Sequence, residues 1–202
     1  MDISASLVKE LREKTGAGMM DCKKALTETS GDFEKAIEYL RKHGIAAAAK
    51  KIGRATKDGV VGSYIHGEGK VGVLVEINCE TDFVARTEQF RQFVKDIAMH
   101  VAAANPLWVR TDDVPKNVTD KEKEISIAQM QNSGKPVSVL EKIAEGKLKK
   151  FYEDNCLMNQ PFIKDPNKTI EQLLKETVAM LGENITIKRF ARFVLGESKE
   201  GA

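Results

Sequence analysis

The sequence predicts an α+β protein, in which a three-helix N-terminal unit precedes a core with a small antiparallel sheet and several long helices. Three observations support this class. Apolar residues recur at helical spacing through residues 2–43, and from Val60 they alternate with a period of two. A further strand-like segment, "NITIKRFARFVLG", follows the last predicted helix, so strands and helices do not alternate in a regular β-α order.

The N-terminal unit is predicted to contain three helices, separated by "TGAG" (residues 15–18) and "TSGD" (residues 29–32). Asp32 is the expected N-cap of the third helix. The apolar faces are formed by Ile3, Leu7, Val8 and Leu11, by Met19, Cys22, Ala25 and Leu26, and by Phe33, Ala36, Ile37 and Leu40. Met19 and Met20 follow the glycine loop and are candidates for an adaptable binding surface. For Met19 we favour the alternative that it fills the core.

The segment "HGIAAAAKKIGRATKDG" (residues 43–59) is predicted to be a partly helical, exposed linker, because alanine favours helix and glycines bound the segment. Two strands follow, "VVGSYIH" and "VGVLVEIN", and "GEGK" between them is typical of a hairpin loop. The GK pair does not belong to a phosphate-binding loop. The glycine that such a loop requires would fall at Tyr64, and Val71 stands in the place of Ser or Thr.

Helices make up most of the remaining core in this prediction. The first has one apolar stripe, formed by Phe90, Phe93, Val94, Ile97, Ala98 and Val101. A second helix, "DKEKEISIAQMQNSGKP", is expected to stop at Gly134 and Pro136, and a third runs from residue 137 to about residue 155. An irregular stretch, "NQPFIKDPNK", precedes a fourth helix that begins at Thr169 with a capping box. The final strand is expected to join the hairpin in one antiparallel sheet.

Composition and charge exclude several functional classes. The 202 residues include 32 basic and 30 acidic residues, a net charge of +2, which favours a protein partner over nucleic acid. No apolar run approaches the roughly 20 residues that a membrane helix needs. Three widely spaced cysteines argue against a disulfide framework and fit a reducing compartment. We therefore expect a cytoplasmic protein without membrane association.

The sequence does not predict a small-molecule active site or a metal site. His43, His66 and His100 lie at no metal-ligand spacing from one another or from a cysteine. Cys79 falls inside a predicted strand, where a buried, inert thiol is expected. We therefore expect neither enzymatic activity nor a cofactor.

The unusual feature is "TDFV", formed by Thr81, Asp82, Phe83 and Val84 at the end of a predicted strand. One interpretation is local: Asp82 caps a helix that begins near Val84, and Phe83 packs beneath it as a hydrophobic staple. In the other, the pair projects into a partner, with the ring as an anchor and the carboxylate as a polar competitor. Local physics does not decide between them.

Two long stretches of this chain resemble the signature stretches of the bacterial elongation factor Ts family. These are "LREKTGAGMMDCKKAL" (residues 11–26) and "EINCETDFVAR" (residues 76–86). The segments "IAMHVAA", "QPFIKDP" and "GENITIKRFARFVLGE" are also similar to that family, so the resemblance covers essentially the whole chain.

This resemblance implies a translation elongation factor of protein biosynthesis, the guanine nucleotide exchange factor for elongation factor Tu. It implies that the partner is Tu, GDP-bound or nucleotide-free, and that GDP release follows from displacement of Mg²⁺ and distortion of the nucleotide site. It also implies an N-terminal domain similar to ubiquitin-associated (UBA) domains. We therefore expect a UBA-like domain plus linker at residues 1–54 and an α+β core for dimerisation and Tu binding at residues 55–202.

The resemblance further implies roles for individual residues. Thr81, Asp82, Phe83 and Val84 match the segment that displaces Mg²⁺ from Tu, and His100 matches a second core contact with Tu. The N-terminal residues that match the docking stretch are Leu11, Arg12, Thr15, Gly16, Gly18, Met19 and Met20.

Longer members of the family have a core of two halves, whereas this chain has a single, shortened core. Short members resemble half of a two-part core, so a homodimer is expected. The alternative function is a UBA-like adaptor that binds peptides or nascent chains without exchange activity.

Overall fold

The computed structural model describes residues 3–129 and 137–197, which fold into helices and short strands. The helices are α1 (Ala5–Thr15), α2 (Met19–Glu28), α3 (Phe33–Ala49), α4 (Asp82–Ala85), α5 (Glu88–Ala104), α6 (Lys116–Ala128), α7 (Val137–Asn155) and α8 (Ile170–Leu181). The strands are β1 (Asp58–His66), β2 (Val71–Cys79), β3 (Pro161–Phe162), β4 (Asp165–Thr169) and β5 (Ile185–Val194).

The predicted α+β class is confirmed. A three-stranded sheet has the order β1-β2-β5, so the last strand joins the hairpin as predicted. Strands β3 and β4 form a second, antiparallel pair. The prediction that residues 159–168 are wholly irregular was therefore wrong. Strand β3 has only two residues, one of them Pro161, so it is too short to show alternation in the sequence.

The three predicted N-terminal helices are present, and local contacts explain both ends of α1 and the start of α3. Ser4 Oγ accepts the Leu7 N–H at 3.3 Å at the start of α1. Gly16 ends that helix in the left-handed conformation at φ 69°. Asp32 caps α3 as predicted, because its Oδ1 accepts the Lys35 N–H at 3.1 Å. The buried residues of this cluster are Val8, Leu11, Cys22, Ala25, Leu26 and Ala36.

The predicted linker is partly helical, as expected, because α3 continues through Ala49. The predicted exposure of the linker holds for only part of the segment. Ala48 is buried, and a Cβ added at Gly44 would lie 3.1 Å from Ala179 Cβ in α8. Gly44 in α3 therefore lies close to Ala179 in α8, and the absence of a side chain at Gly44 permits this approach.

The β1–β2 hairpin closes through the predicted turn at residues 67–70, and its opposite end requires glycine. Gly59 has φ 148°, and an added Cβ would lie within clashing distance of Ile77 O and 2.7 Å from Asn78 Cα. In β2, Val73, Val75 and Ile77 are buried, as their alternation predicts. Gly59 thus lets β1 approach the end of β2 that leads into the TDFV residues.

The long core helices confirm the periodicity of the sequence. All six residues of the predicted α5 stripe are buried, with at most 4% of each exposed. Helix α7 begins and ends close to the predicted residues. The predicted stop of α6 at Gly134 and Pro136 lies outside the described residues, which place its last helical residue at Ala128.

By their internal contacts, the described residues form two compact units that are both discontinuous in sequence. The first comprises residues 3–60, 77–94 and 172–186. The second comprises residues 61–76, 95–129, 137–171 and 187–197. The boundary between a domain at residues 1–54 and a core at residues 55–202 stays a prediction.

Candidate functional site

The TDFV segment, defined as residues 81–84, lies on a single helical turn that directly follows β2. Thr81 is the N-cap of α4, since its backbone is extended (φ −133°, ψ 156°) and its Oγ1 accepts the Val84 N–H at 3.5 Å. Asp82 is therefore the first residue of the helix and not its cap, and the helix begins two residues before the predicted start. Thr and Asp are both good caps, and the extended backbone at Thr81 decides between them here.

Phe83 projects its ring into solvent. Its exposed fraction is 78%, whereas Ala85 two residues later is buried. The staple interpretation is therefore wrong, because a staple requires the ring to pack beneath the helix. An exposed phenylalanine leaves a large apolar area in water, which stabilises a complex when a partner buries it.

The Asp82 carboxylate is paired within its own turn. Arg86 Nη2 donates to Asp82 Oδ2 at 2.6 Å, and both side chains remain partly exposed. An exposed pair of this kind stabilises a fold by at most about 1 kcal/mol, so a partner can replace Arg86 at low cost. Asp82 also lies in the first turn of α4, where the helix dipole favours a negative charge.

The backbone that leads into this turn is fixed by one carboxylate, that of Glu183. Glu183 Oε2 accepts the Glu80 N–H at 3.1 Å and the Thr81 N–H at 3.0 Å. Glu183 Oε1 accepts a third bond from Thr81 Oγ1 at 2.6 Å. Hydrogen bonds to an ionised acceptor are about twice as strong as neutral ones, so this contact holds the segment firmly.

A reciprocal set of bonds holds the Glu183 turn in place. The Asn184 N–H donates to Glu80 Oε1 at 2.6 Å, and Asn184 Nδ2 donates to Arg54 O at 2.8 Å. Arg54 Nη1 lies 3.6 Å from Glu80 Oε1. The end of the linker, the end of β2 and the α8–β5 turn therefore meet in one polar cluster.

Cys79 lies beneath the segment as a buried thiol. Its Sγ is 3.1 Å from Thr81 O, to which it donates. Burial, reinforced by the charges of Glu183 and Asp58, raises the pKa of Cys79 to about 11. A thiol with this pKa stays protonated near neutral pH, so the prediction of a buried, inert cysteine is confirmed.

The predicted N-terminal docking residues divide into buried and exposed groups. Leu11 is fully buried, and Thr15 Oγ1 donates to Leu11 O at 2.6 Å, so both support the helical cluster. The residues that face solvent are Arg12, Gly16, Gly18, Met19 and Met20. Met19 is 46% exposed and Met20 is 75% exposed.

The interpretation of Met19 as core filler is therefore wrong. The core position at the start of α2 is occupied by Cys22, which is fully buried. Met19 and Met20 together expose flexible, polarisable side chains next to the glycine loop, a composition suited to an adaptable contact.

His100 lies in the core and does not reach the surface. Its ring is fully buried, its Nε2 lies 3.0 Å from Gln160 Oε1, and the Ile163 N–H donates to its Nδ1 at 3.3 Å. This arrangement requires a neutral ring that is protonated at Nε2. Burial lowers the pKa of His100, and the bond to Gln160 opposes this shift in part.

Both ring nitrogens of His100 are thus used within the protein. Gln160 Nε2 donates in turn to Asp154 O at 2.8 Å, so the pair joins α5 to the end of α7. A direct contact between the His100 ring and a partner does not fit this conformation. An influence of His100 on a partner would act through the residues it holds.

The potential metal ligands of the described residues are not gathered into a metal-binding cluster. In residues 3–129 and 137–197, no group of three or more His, Cys, Asp or Glu side chains is arranged to hold a metal ion. The three cysteines are all buried and unbridged. No helix in the described part of the chain combines the length and apolar character needed to cross a membrane.

The sequence-based prediction assigned no role to Glu183, Glu80 or Asn184. Glu183 and Thr81 are 102 positions apart, so no local pattern connects them. The only signal was indirect: "GENI" begins at Gly182, the predicted end of a helix, and belongs to one of the quoted segments of resemblance.

Comparison with known proteins assigns the chain to a family. The model of the family "Elongation factor TS" matches residues 3–197. Elongation factor Ts of Geobacter sulfurreducens is 60% identical over 99% of this chain and 93% of its own length. The proteins of the same name from Caldanaerobacter subterraneus and Acetivibrio thermocellus are each 62% identical, over 98% and 96% of this chain and 99% and 91% of their own lengths. The resemblance inferred from the sequence is confirmed, and the chain belongs to the elongation factor Ts family of translation elongation factors.

Proposed function

We propose that this protein is a guanine nucleotide exchange factor for elongation factor Tu and that the TDFV segment promotes the release of GDP. The single observation that best supports this function is the exposed ring of Phe83 on a rigidly held turn. Exposure of a large ring costs free energy in the isolated protein, and this free energy is recovered when a partner covers the ring.

Nucleotide exchange requires preferential binding and no covalent step. A nucleotide-binding protein holds GDP through phosphate contacts and a Mg²⁺ ion that neutralises charge. A factor accelerates release only if it binds the distorted or nucleotide-free state better than the loaded state. The coupling is reciprocal, so GDP or GTP must in turn weaken the binding of the factor.

In this proposal Phe83 supplies the preferential binding, and Asp82 disturbs the Mg²⁺ site of Tu. The ring inserts into an apolar space that exists only in the distorted state. The Asp82 carboxylate leaves its surface ion pair with Arg86. It then pairs with groups of Tu that otherwise hold the Mg²⁺ site in order. Val84 follows Phe83 in the same turn, and Thr81 caps the turn that carries all three side chains.

The N-terminal helices provide a second contact, which holds Tu while the TDFV segment acts. Arg12, Met19 and Met20 supply its exposed side chains, and Gly16 and Gly18 lie exposed in the loop between α1 and α2. Leu11 and Thr15 act indirectly, by supporting that loop. His100 also acts indirectly, through the buried bonds that join α5 to Gln160.

A homodimer is also proposed, with the exposed face of the sheet as its contact. Val61 and Ile65 on β1 are 66% and 65% exposed, and Leu74 on β2 is 48% exposed. Ile65 Cδ1 lies 3.4 Å from the position of a Cβ on Gly72, so Ile65 and Leu74 share a face. A second copy of the chain would bury these apolar residues and complete the short core.

The release of a fluorescently labelled GDP from elongation factor Tu, followed by stopped-flow with and without this protein, tests the proposal. We expect release to accelerate with factor concentration and to saturate. Release that stays at the spontaneous rate, together with retained binding of peptides by the N-terminal helices, would overturn the proposal in favour of the UBA-like adaptor.

A further inference from the structure

We infer that Glu183 is a positioning residue that holds the TDFV segment in the orientation in which Phe83 meets elongation factor Tu. This inference rests on the proposed function and adds to it the residue that orients the segment. Glu183 lies in the α8–β5 turn, outside the segment itself, and its carboxylate accepts all three of the donors described above.

The need for such a residue follows from the size of α4. The helix has four residues, too few to form a stable helix on its own. Phe83 does not anchor the turn, since most of its ring is in solvent. Besides the burial of Ala85, tertiary contacts of the backbone orient the turn, since two consecutive N–H groups bind Glu183 just before α4 begins.

Glu183 also determines how Thr81 caps the helix. A hydroxyl has one proton to donate and lone pairs with which to accept. Thr81 Oγ1 donates to Glu183 Oε1 at 2.6 Å, which leaves its lone pairs for the Val84 N–H. Without the carboxylate, the hydroxyl is free to rotate and the cap weakens.

Glu183 is itself held on both sides. Gly182 ends α8 with its N–H donating to Val178 O at 3.0 Å and has φ 79°. Asn184 is 3% exposed and donates to Glu80 and Arg54. A carboxylate with its neighbours fixed in this way loses little further freedom when it orders the segment.

The consequence for exchange is kinetic. A segment that is ordered before binding avoids the entropy cost of ordering during the release step. Loss of Glu183 should therefore lower the maximal rate of GDP release at saturating factor. The factor concentration that gives half of that rate depends mainly on the N-terminal contact and should change little.

The test compares full-length variants with labelled GDP on elongation factor Tu. The positioning variants are Glu183→Gln and Glu183→Ala, and Phe83→Ala reports the proposed function independently. Glu124→Ala, which removes an exposed carboxylate from α6, is the matched control. Each protein is measured for its unfolding midpoint, its amide hydrogen exchange and its dependence of GDP release on factor concentration.

We expect Glu183→Ala to lower the maximal release rate about tenfold, with a half-saturating concentration within about threefold of the original. The amides of Glu80 and Thr81 should exchange at least about tenfold faster in the free variant. For Glu183→Gln, the release rate and the amide exchange rates should lie between those of the original protein and of Glu183→Ala, because the glutamine amide oxygen still accepts hydrogen bonds. Glu124→Ala should change none of these quantities.

A double-variant cycle keeps the test decisive if Glu183→Ala does not fold. Thr81→Val removes the hydroxyl that donates to Glu183 while keeping its shape. Thr81→Val combined with Glu183→Gln should lose less activity than the sum of the two single losses, because both changes weaken the same contact. Fully additive losses would overturn the inference.

The two proposals fail separately. Normal release by Glu183→Ala beside slow release by Phe83→Ala would overturn the positioning role and leave the proposed function intact. Normal release by Phe83→Ala would overturn the role of the TDFV segment in the proposed function, and the inference with it.

Discussion

His100 Nε2 and Gln160 Oε1 lie 3.0 Å apart in the buried core, and the Ile163 N–H occupies the other ring nitrogen. A second proton on His100 would abolish the bond from Ile163 and would place a charge where neither ring nitrogen meets water. This is the physical reason why burial lowers the pKa of His100 below its ordinary 6.5.

The first prediction is that this histidine makes the folded state sensitive to mild acid. Below pH 6.5 the unfolded chain binds the proton while the folded chain does not, so stability falls as the pH is lowered. Above that pH the contribution is fully present. The loss approaches about 1.4 kcal/mol per pH unit at most.

Urea unfolding between pH 7.5 and pH 5 checks the acid sensitivity. The His100→Gln variant should be less stable at pH 7.5 and should show a shallower decline with acid, because it lacks the titrating ring. If the free energy of unfolding fell equally with decreasing pH in the two proteins, the prediction would be contradicted. The two proteins differ only at residue 100, so the comparison isolates the contribution of His100.

The second prediction concerns the hairpin. Gly59→Ala should lower the free energy of unfolding by about 2 kcal/mol or more, because the new Cβ meets Ile77 O and the φ of 148° disfavours a side chain. Gly146→Ala is the matched control, as no atom lies within 4 Å of its added Cβ and it lies within α7. That control should be stabilised by about 1 kcal/mol. Equal effects of the two changes would refute the close approach at Gly59.

The third prediction separates the two kinds of N-terminal residue. Met20→Ala should weaken binding to elongation factor Tu about fivefold, a loss of roughly 1 kcal/mol, with an unchanged melting temperature. Leu11→Ala should lower the stability of the free protein by about 2–5 kcal/mol, because it empties a buried site. Calorimetric titration against elongation factor Tu and thermal melts of both variants test this division. A lowered melting temperature of Met20→Ala would contradict the prediction.

The fourth prediction concerns the oligomeric state. Light scattering at micromolar concentration should give about twice the chain mass of 22.4 kDa. Leu74→Lys should shift the mass toward the monomer, since it places a charge in the proposed apolar contact. A monomeric wild-type protein with full exchange activity would end the dimer proposal.

The sequence predicted the elements whose causes are local. The α5 stripe from Phe90 to Val101 and the alternation in β2 follow from periodicity alone, and Asp32 was identified as a cap by its residue type. The β3–β4 pair was missed because two residues show no period.

The arrangement of the candidate site could be predicted only in part. The motif located the TDFV residues, but their sequence fits a buried staple as well as an exposed anchor. Only the packing of the folded chain shows that Phe83 is exposed. The contact between Glu183 and Thr81 spans 102 positions and arises only when β2 and the α8–β5 turn come together. A contact of this kind has no signature in either segment.

The central claim is that Phe83 acts on elongation factor Tu and not on the fold of its own chain. Because Phe83 is 78% exposed, Phe83→Ala should leave the melting temperature of the free protein nearly unchanged. A truncated aromatic anchor costs roughly 2 kcal/mol or more in the complex, which corresponds to about thirtyfold slower GDP release. Leu107→Ala, which truncates another exposed apolar side chain, is the control and should accelerate GDP release from elongation factor Tu as the original protein does.

The most direct measurement is the stopped-flow rate of labelled GDP release from elongation factor Tu with saturating Phe83→Ala, taken beside a thermal melt of the same sample. We predict slow release from a protein that melts normally, and release with Asp82→Ala should then be slow as well. A lowered melting temperature with an unchanged release rate would contradict it, because Phe83 would then stabilise the chain and not the complex.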